Sequence, residues 1–249
     1  MFKRLPSKRA LAAAFKVRGR RLERRWPFVP RAAGDDLNLR FDDLLELQWA
    51  RSRDFVVVVV GAFDGVENDP VSRFIRAREC RGVLIEPQPA AFARLRENFA
   101  RFPRIELLNA AIDETSGSRA LYSVPPSEGF PPWIEQIASF SPDHIRKHES
   151  QAPGLSARMI EQPIRTLSFD ALLDELRLDH IDVLQIDAEG MDGKMLGWFP
   201  FERMRPGVLY YESTHLSQDE QRTVRARLER FGYKLFAADS PTDTMAVIA

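Results

Sequence analysis

The stretch Phe55-Val56-Val57-Val58-Val59-Val60-Gly61-Ala62-Phe63-Asp64-Gly65 decides the fold of this chain. Its first half is an unbroken β-branched run, which is typical of a strand buried on both faces in a parallel sheet covered by helices. Its second half is a glycine turn, and glycine lets the backbone turn sharply and approach a ligand closely. Because many α/β proteins need such a turn only to change direction, the turn alone is weak evidence for binding.

Helical and strand patterns alternate around this stretch. Helices are predicted over 36–51, 70–78, 89–102, 169–176, 191–199 and 217–231, and strands over 82–85, 105–111, 120–124, 181–186, 208–211, 233–237 and 244–248. This alternation indicates βαβ units and a doubly wound α/β sheet, with the last two strands as an antiparallel pair. Since ligands of such sheets bind beyond the carboxyl ends of the strands, the candidate site residues are those that follow each strand.

The composition divides the chain into a basic N-terminal extension over 1–34 and one domain over 35–249. Residues 1–31 carry eleven Lys and Arg against one acid, Glu23, so their net charge is +10 and the remainder of the neutral chain carries −10. Such an arm is either a poorly ordered, solvated tail or a contact for an anionic surface, namely phospholipid, nucleic acid or an acidic partner. Its few aromatic residues do not favour nucleic acid as a partner.

Residues 125–155 interrupt the alternation with six prolines and two glycines. Long loops inside a compact domain are often functional. We expect a lid or acceptor loop here, irregular at its start and with a short helix further on.

The single cysteine, Cys80, excludes an intrachain disulfide framework and a cysteine-rich zinc site, and it fits a reducing compartment. No apolar run approaches the roughly 20 residues that span a bilayer, and the apolar residues 10–15 are too few for a signal peptide. We therefore expect a cytoplasmic protein, with the basic arm as a candidate for peripheral contact with a membrane. The sequence predicts no oligomeric state.

Two further strand ends carry residues suited to a nucleoside. Glu86 ends a strand 25 residues after Gly61, where an acid can accept hydrogen bonds from both ribose hydroxyls. Ala110 and Ala111 follow the next strand and leave room for a flat adenine, whose amino group Asp113 could reach. The alternatives are a solvent-exposed acid at Glu86 and an ordinary strand exit at 109–113.

The fourth strand end is Asp187-Ala188-Glu189-Gly190. A carboxylate here could pair with a ligand ammonium, help to bind a divalent ion or orient an acceptor hydroxyl. The alternative is a helix N-terminus that acidic residues stabilise.

The acids near the glycine turn discriminate between nucleoside ligands. A nicotinamide dinucleotide prefers Gly-x-Gly-x-x-Gly, whereas this turn has Gly-x-x-x-Gly, and Asp64, Glu67 and Asp69 would repel a pyrophosphate. S-adenosylmethionine carries a sulfonium and an ammonium but no phosphate. The turn therefore favours a methyltransferase over its alternatives, an NAD-dependent oxidoreductase and a non-catalytic module that binds a nucleoside, a partner or a membrane.

At these positions the chain resembles the FkbM family of S-adenosylmethionine-dependent methyltransferases, over roughly residues 54–249. The resemblance is carried by the segments 60–65, 85–87, 109–112, 184–190 and 211–212, together with Thr166-Leu167 and Asp170. It implies a class I methyltransferase (Rossmann-like) fold, a doubly wound sheet of seven strands, mostly parallel with the last antiparallel.

The resemblance also implies a reaction and a cofactor site. The reaction is O-methylation of a hydroxyl on a sugar, glycolipid or natural product. The cofactor residues are those of the glycine turn (Gly61, Ala62, Asp64, Gly65) with Glu86, and Asp187 lies beside them. Family members often have Asp or Gln two residues before the first turn glycine, and this chain has Val59 there.

Removal of the acceptor proton needs a base, and the chain has four histidines. His215, which follows a strand end, is the candidate base, with packing against the helix over 217–231 as its alternative. His144 and His148 could share a helical face in the acceptor loop, and His180 is expected at the opposite edge of the sheet.

The remaining acids complete the candidate acceptor site. Asp187 is predicted to be catalytic, and Glu189, Glu212 and His144 to bind the acceptor. Asp187, Glu189, Glu212 and His215 also offer ligands that suit magnesium or manganese. Nothing in their spacing compels a metal, so none is predicted.

Overall fold

A computed structural model describes residues 40–66, 70–78, 80–125, 129–238 and 242–248. The basic extension lies outside these ranges, as do Glu67 and Asp69. The division of the chain at residues 34 and 35 therefore stays a prediction.

Helices and strands alternate along the described chain as the sequence predicts. The α-helices are α1 Phe41–Arg51, α2 Pro70–Arg78, α3 Pro89–Phe99, α4 Pro142–Arg146, α5 Phe169–Glu175, α6 Asp192–Trp198 and α7 Gln218–Arg230. The strands are β1 Val56–Val60, β2 Arg81–Ile85, β3 Ile105–Leu108, β4 Ala111–Ile112, β5 Gly117–Ser123, β6 Ile160–Leu167, β7 Val183–Ile186, β8 Val208–Glu212, β9 Tyr233–Ala237 and β10 Asp243–Ile248. Short 3₁₀ helices occupy Pro132–Gln136 and Ser156–Arg158.

The main sheet has seven strands in the order β3-β2-β1-β7-β8-β10-β9. β3, β2, β1, β7 and β8 pair in parallel, whereas β10 is antiparallel to both β8 and β9. The order reverses at β1, where β2 and β7 flank the valine strand. This is the mostly parallel seven-stranded sheet that the family resemblance implies, and the class I methyltransferase fold is confirmed.

The single strand predicted over 105–111 is wrong. β3 ends at Leu108, and β4 belongs to a separate sheet of order β4-β6-β5. Asn109 marks the break, since its side-chain amide donates to the backbone carbonyls of Glu86 and Pro87. The chain therefore leaves the main sheet at the position where the candidate site begins.

Alternate valines of β1 face opposite layers, as a strand buried on both sides requires. Val56, Val58 and Val60 pack with the α5–α7 side of the core, and Val57 and Val59 with the α1–α3 side. All five are at most 3% exposed. This burial fixes the height and direction of the turn that follows β1.

Helix α7 begins with the predicted capping box. The Ser217 hydroxyl accepts from the Glu220 amide, and the Glu220 carboxylate accepts from the Ser217 amide. Two amides that the helix itself leaves unpaired are thereby satisfied. Among the described residues, no helix combines the length and apolar character that crossing a membrane requires.

Candidate functional site

A cavity of about 910 Å³, counted out to its open mouth, lies at the carboxyl ends of β1, β2 and β7. This is the edge where ligands of doubly wound sheets bind. Of the predicted cofactor residues, the cavity brings together Gly61, Ala62, Glu86, Ala110, Ala111 and Asp187. The predicted acceptor residue Glu189 also lines it.

Gly61 lies directly against the strand end that carries Asp187. Its φ is +80°, and a Cβ there would lie 1.7 Å from the Asp187 carbonyl oxygen. The amides of Gly61 and Ala62 donate to Ile85 O, and the Asp187 amide donates to Val60 O. Glycine at 61 thus lets the ends of β1, β2 and β7 meet beneath the cavity.

Glu86 is a buried acid whose carboxylate two backbone amides hold in place. Its Oε2 accepts from the Phe63 amide at 2.8 Å and its Oε1 from the Gln88 amide at 2.7 Å. The side chain lines the cavity although the residue is only 3% exposed. Burial raises the pKa of Glu86 to about 7, against the opposing effect of the two amides. Each oxygen retains acceptor capacity for a ligand hydroxyl.

The cavity wall is acidic. Glu86, Asp187 and Glu189 line it, and among the described residues no Lys, Arg or His side chain does. A phosphate-bearing dinucleotide would meet three carboxylates here without a counter-charge, whereas a cationic ligand would be attracted. The wall thus favours a cationic ligand over a phosphate-bearing one, which is the preference predicted from the acids of the glycine turn.

Gln185 is a site residue to which the sequence analysis gave no role. It lines the cavity from β7, is 3% exposed, and its Oε1 has no hydrogen-bond partner. Its register partner on β1 is Val59, the position where the family often has a polar residue. A polar residue inside a buried apolar strand was the available signal. Buried polar atoms without partners are costly, so the orphaned oxygen indicates a ligand contact.

Three predicted cofactor residues do not line the cavity. Asp64 accepts from the Val66 amide within the turn. A Cβ on Gly65 would lie 2.4 Å from the Phe99 ring and 2.6 Å from a Leu95 methyl, so this glycine serves packing. The carboxylate of Asp113 pairs with Arg119 at 2.9 Å.

Residues 136–140, inside the predicted lid, cover the cavity. Gln136, Ala138, Ser139 and Phe140 contribute to its wall, and Ser139 pairs with Tyr122 through two backbone hydrogen bonds. A small separate hydrophobic core supports this part of the chain. It is formed by Val124, Ile134, Ile137, Ile145, Ala152 and Leu155. Whether this cover opens and closes stays a prediction.

Helix α4, the end of β8 and the turn after β7 bring histidines and glutamates together. His215 Nε2 lies 3.5 Å from Glu212 Oε2 and 3.7 Å from Glu189 Oε2, and His144 Nε2 lies 3.6 Å from the same Glu189 oxygen. We call these four residues the His–Glu cluster. His148 lies outside this cluster, with its ring edge-on to that of His144 and 5.7 Å between the two ring centroids. His180 lies at the opposite edge, beside Asp54 and Asp179.

Burial shapes the protonation of this cluster. It lowers the pKa of His215, and the charges of His144, His148 and Lys147 act in the same direction, against Glu189. It raises the pKa of Glu212 to about 7, with Glu189 and Asp243 adding to the effect.

The turn that presents Glu189 has an unusual backbone. The Met191 amide donates to Ala188 O, and the two central residues, Glu189 and Gly190, have φ of +48° and +91°. Two positive φ values define a type I′ turn, in which a glutamate at the first central position is disfavoured. Such strain is most often found at functional sites.

The doubly wound sheet with this strand order is that of the class I methyltransferase fold, and the acidic cavity lies at its switch point. The family model of the Methyltransferase FkbM domain matches residues 60–235, which is more than half of the chain. The chain belongs to this family of S-adenosylmethionine-dependent methyltransferases. No curated protein matches it.

Several solved structures are similar to the chain. The FkbM methyltransferase from Methylobacillus flagellatus is 15% identical over 78% of this chain, with a TM-score of 0.49, and the chain spans only 43% of that protein. The O-methyltransferase from Bacillus cereus, solved in complex with SAH, is 12% identical over 99% of this chain and 93% of its own, with a TM-score of 0.41. The precorrin-6y C5,15-methyltransferase from Geobacter metallireducens is 14% identical over 87% and 91%, with a TM-score of 0.40.

Proposed function

We propose that this chain methylates a hydroxyl oxygen on a sugar, glycolipid or other natural product, with S-adenosylmethionine as the methyl donor. One observation carries the proposal: Glu189 belongs both to the acidic cavity and to the His–Glu cluster. A cavity suited to a cationic nucleoside therefore adjoins groups that can accept the proton of an acceptor hydroxyl or lower the pKa of that hydroxyl.

The cavity residues fit S-adenosylmethionine. Glu86 has fixed oxygens for the ribose hydroxyls, and Ala110 and Ala111 leave space for adenine. Asp187, an exposed acid on the wall, suits the ammonium, and the unpartnered Oε1 of Gln185 can accept a further hydrogen bond. When bound, the donor supplies an electrophilic methyl group on its sulfonium.

The chain must also position the acceptor hydroxyl and loosen its proton. A neutral imidazole can remove that proton, and a bound divalent cation can lower the pKa of the acceptor hydroxyl. His215 is the imidazole candidate, because its lowered pKa leaves Nε2 free to take up a proton near neutral pH. Glu189 and Glu212, next to that nitrogen, would orient the acceptor and stabilise the protonated ring.

The segment over 136–140 supports the same chemistry by covering the cavity. Its apolar members Ala138 and Phe140 pack with Ala111 and Leu121 on the far wall. A covered site excludes water and strengthens the charge interactions within it.

Transfer of a tritiated methyl group from S-adenosylmethionine to a panel of glycans and glycolipids tests the proposal. Each substrate that accepts methyl is to be compared with its deoxy analogue. We expect His215→Asn to lose transfer while SAH still binds, and Glu86→Gln to weaken both. Equal labelling of substrates and deoxy analogues, or methyl found on nitrogen or carbon, would reject O-methylation.

A further inference from the structure

We propose that His144, Glu189, Glu212 and His215 form a binding site for a divalent transition-metal ion, with Zn²⁺ the best match, at the mouth of the cavity. Ion binding as such is independent of the proposed function. Only the part given to the ion in activating the acceptor rests on that function.

Three of the donor pairs have the spacing of metal ligands. The three measured N···O separations are 3.5, 3.6 and 3.7 Å. Two ligands bound at about 2.0–2.2 Å and at a tetrahedral angle lie about 3.3–3.6 Å apart. The observed separations exceed hydrogen-bond length by several tenths of an ångström. The donors therefore converge without bonding one another.

Three of the four residues meet closely, two of them from the end of β8 and one from the turn after β7. Glu189, Glu212 and His215 each place a ligand atom within 4.8 Å of the other two. His144 reaches Glu189 from α4, and its ring centroid lies 5.6 Å from that of His215. The turn after β7, the end of β8 and the covering segment thus each contribute a ligand.

The cluster lacks the partners that would make it a purely structural hydrogen-bond network. His144 Nε2 is buried and has no hydrogen-bond partner. An imidazole nitrogen directed at a carboxylate, but too far away to bond it, can coordinate an ion placed between them.

A further buried carboxyl lies beside the cluster. Asp192, at the start of α6, is fully buried. Burial and the nearby carboxylates of Asp187 and Glu212 raise the pKa of Asp192 well above its ordinary value, so this carboxyl is held neutral beside them. No Lys or Arg of the described chain forms an ion pair with Glu189, Glu212 or Asp192. A divalent cation would supply the missing positive charge.

The donor types select the ion. Two imidazoles with two carboxylates suit Zn²⁺ and Mn²⁺, whereas Mg²⁺ prefers oxygen ligands in near-ideal octahedral geometry. The spacing of the three measured pairs favours Zn²⁺ over Mn²⁺.

A bound ion would have two consequences. His144 belongs to the segment over 129–155, which includes the residues 136–140 that cover the cavity. A bound ion would therefore hold this segment against the end of the main sheet. An acceptor hydroxyl that joins the coordination shell would lose its proton more readily, and the proton would pass to water. In that state His215 is a ligand and not the base.

Metal binding to the whole purified chain tests the proposal. After treatment with a chelator and dialysis, the protein is titrated calorimetrically with Zn²⁺ and separately with Mg²⁺. We expect one Zn²⁺ site per chain that is at least about tenfold tighter than Mg²⁺ binding. Hydrogen exchange should slow within 129–155 when Zn²⁺ is added, because His144 becomes fixed.

Variants with uncharged replacement side chains test whether these particular residues bind the ion. Only variants whose thermal unfolding transition matches that of the unsubstituted chain are compared. Glu212→Gln and His144→Asn should each weaken Zn²⁺ binding by at least about tenfold, and His148→Asn, in the same segment but outside the donor set, should not. Absence of Zn²⁺ binding to the unsubstituted chain, or equal affinity in all variants, would overturn the site.

Titration of the metal-free protein with SAH separates this inference from the proposed function. Because the ribose and adenine contacts lie away from the cluster, we expect SAH to bind without metal. SAH binding without Zn²⁺ binding would overturn the ion site alone, and Zn²⁺ binding without SAH binding would overturn the proposed function alone.

Discussion

Gly61 and Asp187 approach so closely that a Cβ at position 61 would lie 1.7 Å from the Asp187 carbonyl oxygen. The contact joins the ends of β1 and β7 at the point where the strand order reverses. The glycine turn is therefore required for the sheet edge to close, besides bordering the cavity.

Substitution Gly61→Ala should destabilise the fold by at least about 2 kcal/mol, because a methyl group overlaps backbone and φ is left-handed. Chemical denaturation measures the change. Gly197→Ala is the matched control, since Gly197 lies in helix α6 with open space around it, and there alanine should stabilise by up to about 1 kcal/mol. A similar stability for Gly61→Ala and the unsubstituted protein would show that the contact is not close.

Glu86 should make SAH binding pH-dependent. Its pKa of about 7 means that the carboxylate, which we propose accepts from both ribose hydroxyls, is fully formed only above neutrality. We expect affinity to rise as pH increases through 7, and Glu86→Gln to weaken binding by about 1–3 kcal/mol and to flatten the profile. Calorimetry between pH 6 and 8.5, at roughly half-unit steps, follows both effects.

The same group has a signed effect on stability. A carboxyl whose pKa is raised from 4.5 to about 7 on folding binds more protons in the folded than in the unfolded chain. Its contribution to stability therefore falls as pH rises from 4.5 to 7. Denaturation of the unsubstituted protein and Glu86→Gln across this range should show the steeper loss in the former, and parallel curves would contradict the buried state of Glu86.

Gln185 should lower the stability of the free protein and strengthen its binding of SAH. Replacement by Met fills a similar volume and removes the unpartnered Oε1, so Gln185→Met should stabilise the free protein by about 1 kcal/mol. The same variant should bind SAH more weakly, because the ligand loses a hydrogen-bond partner. Thermal denaturation and SAH titration measure the two effects, and an unchanged affinity would remove Gln185 from the site.

Glu189 combines a strained backbone with a place in the His–Glu cluster. Glu189→Gly should stabilise the protein by about 1 kcal/mol, because glycine adopts a φ of +48° freely. It should also abolish Zn²⁺ binding. Arg177→Gly is the matched control, since Arg177 has the same φ of 48° far from the cluster. We expect a similar stabilisation there with Zn²⁺ binding intact, and a loss of Zn²⁺ affinity in both variants would indicate an indirect effect.

The fold could be predicted because its signals are local. The valine run, the glycine turn and the capping box at Ser217 each act within a few residues. The break after Leu108 could not be predicted, because Asn109 leaves the sheet through hydrogen bonds to carbonyls of a neighbouring strand end.

The site could be predicted only in part, for the same reason. Glu86 and Asp187 follow directly from their positions at strand ends. The direction of Asp113 depends on Arg119, and the meeting of His144 with Glu189 depends on how residues 129–155 fold over the sheet. The first contact joins residues six apart across a turn, the second joins distant segments, and sequence spacing alone records neither.

Calorimetric titration of the purified chain with SAH, and in parallel with NAD, tests the central claim most directly. An acidic cavity without basic side chains in its described wall should bind SAH at one site and leave NAD unbound. Binding of NAD without SAH would contradict the account.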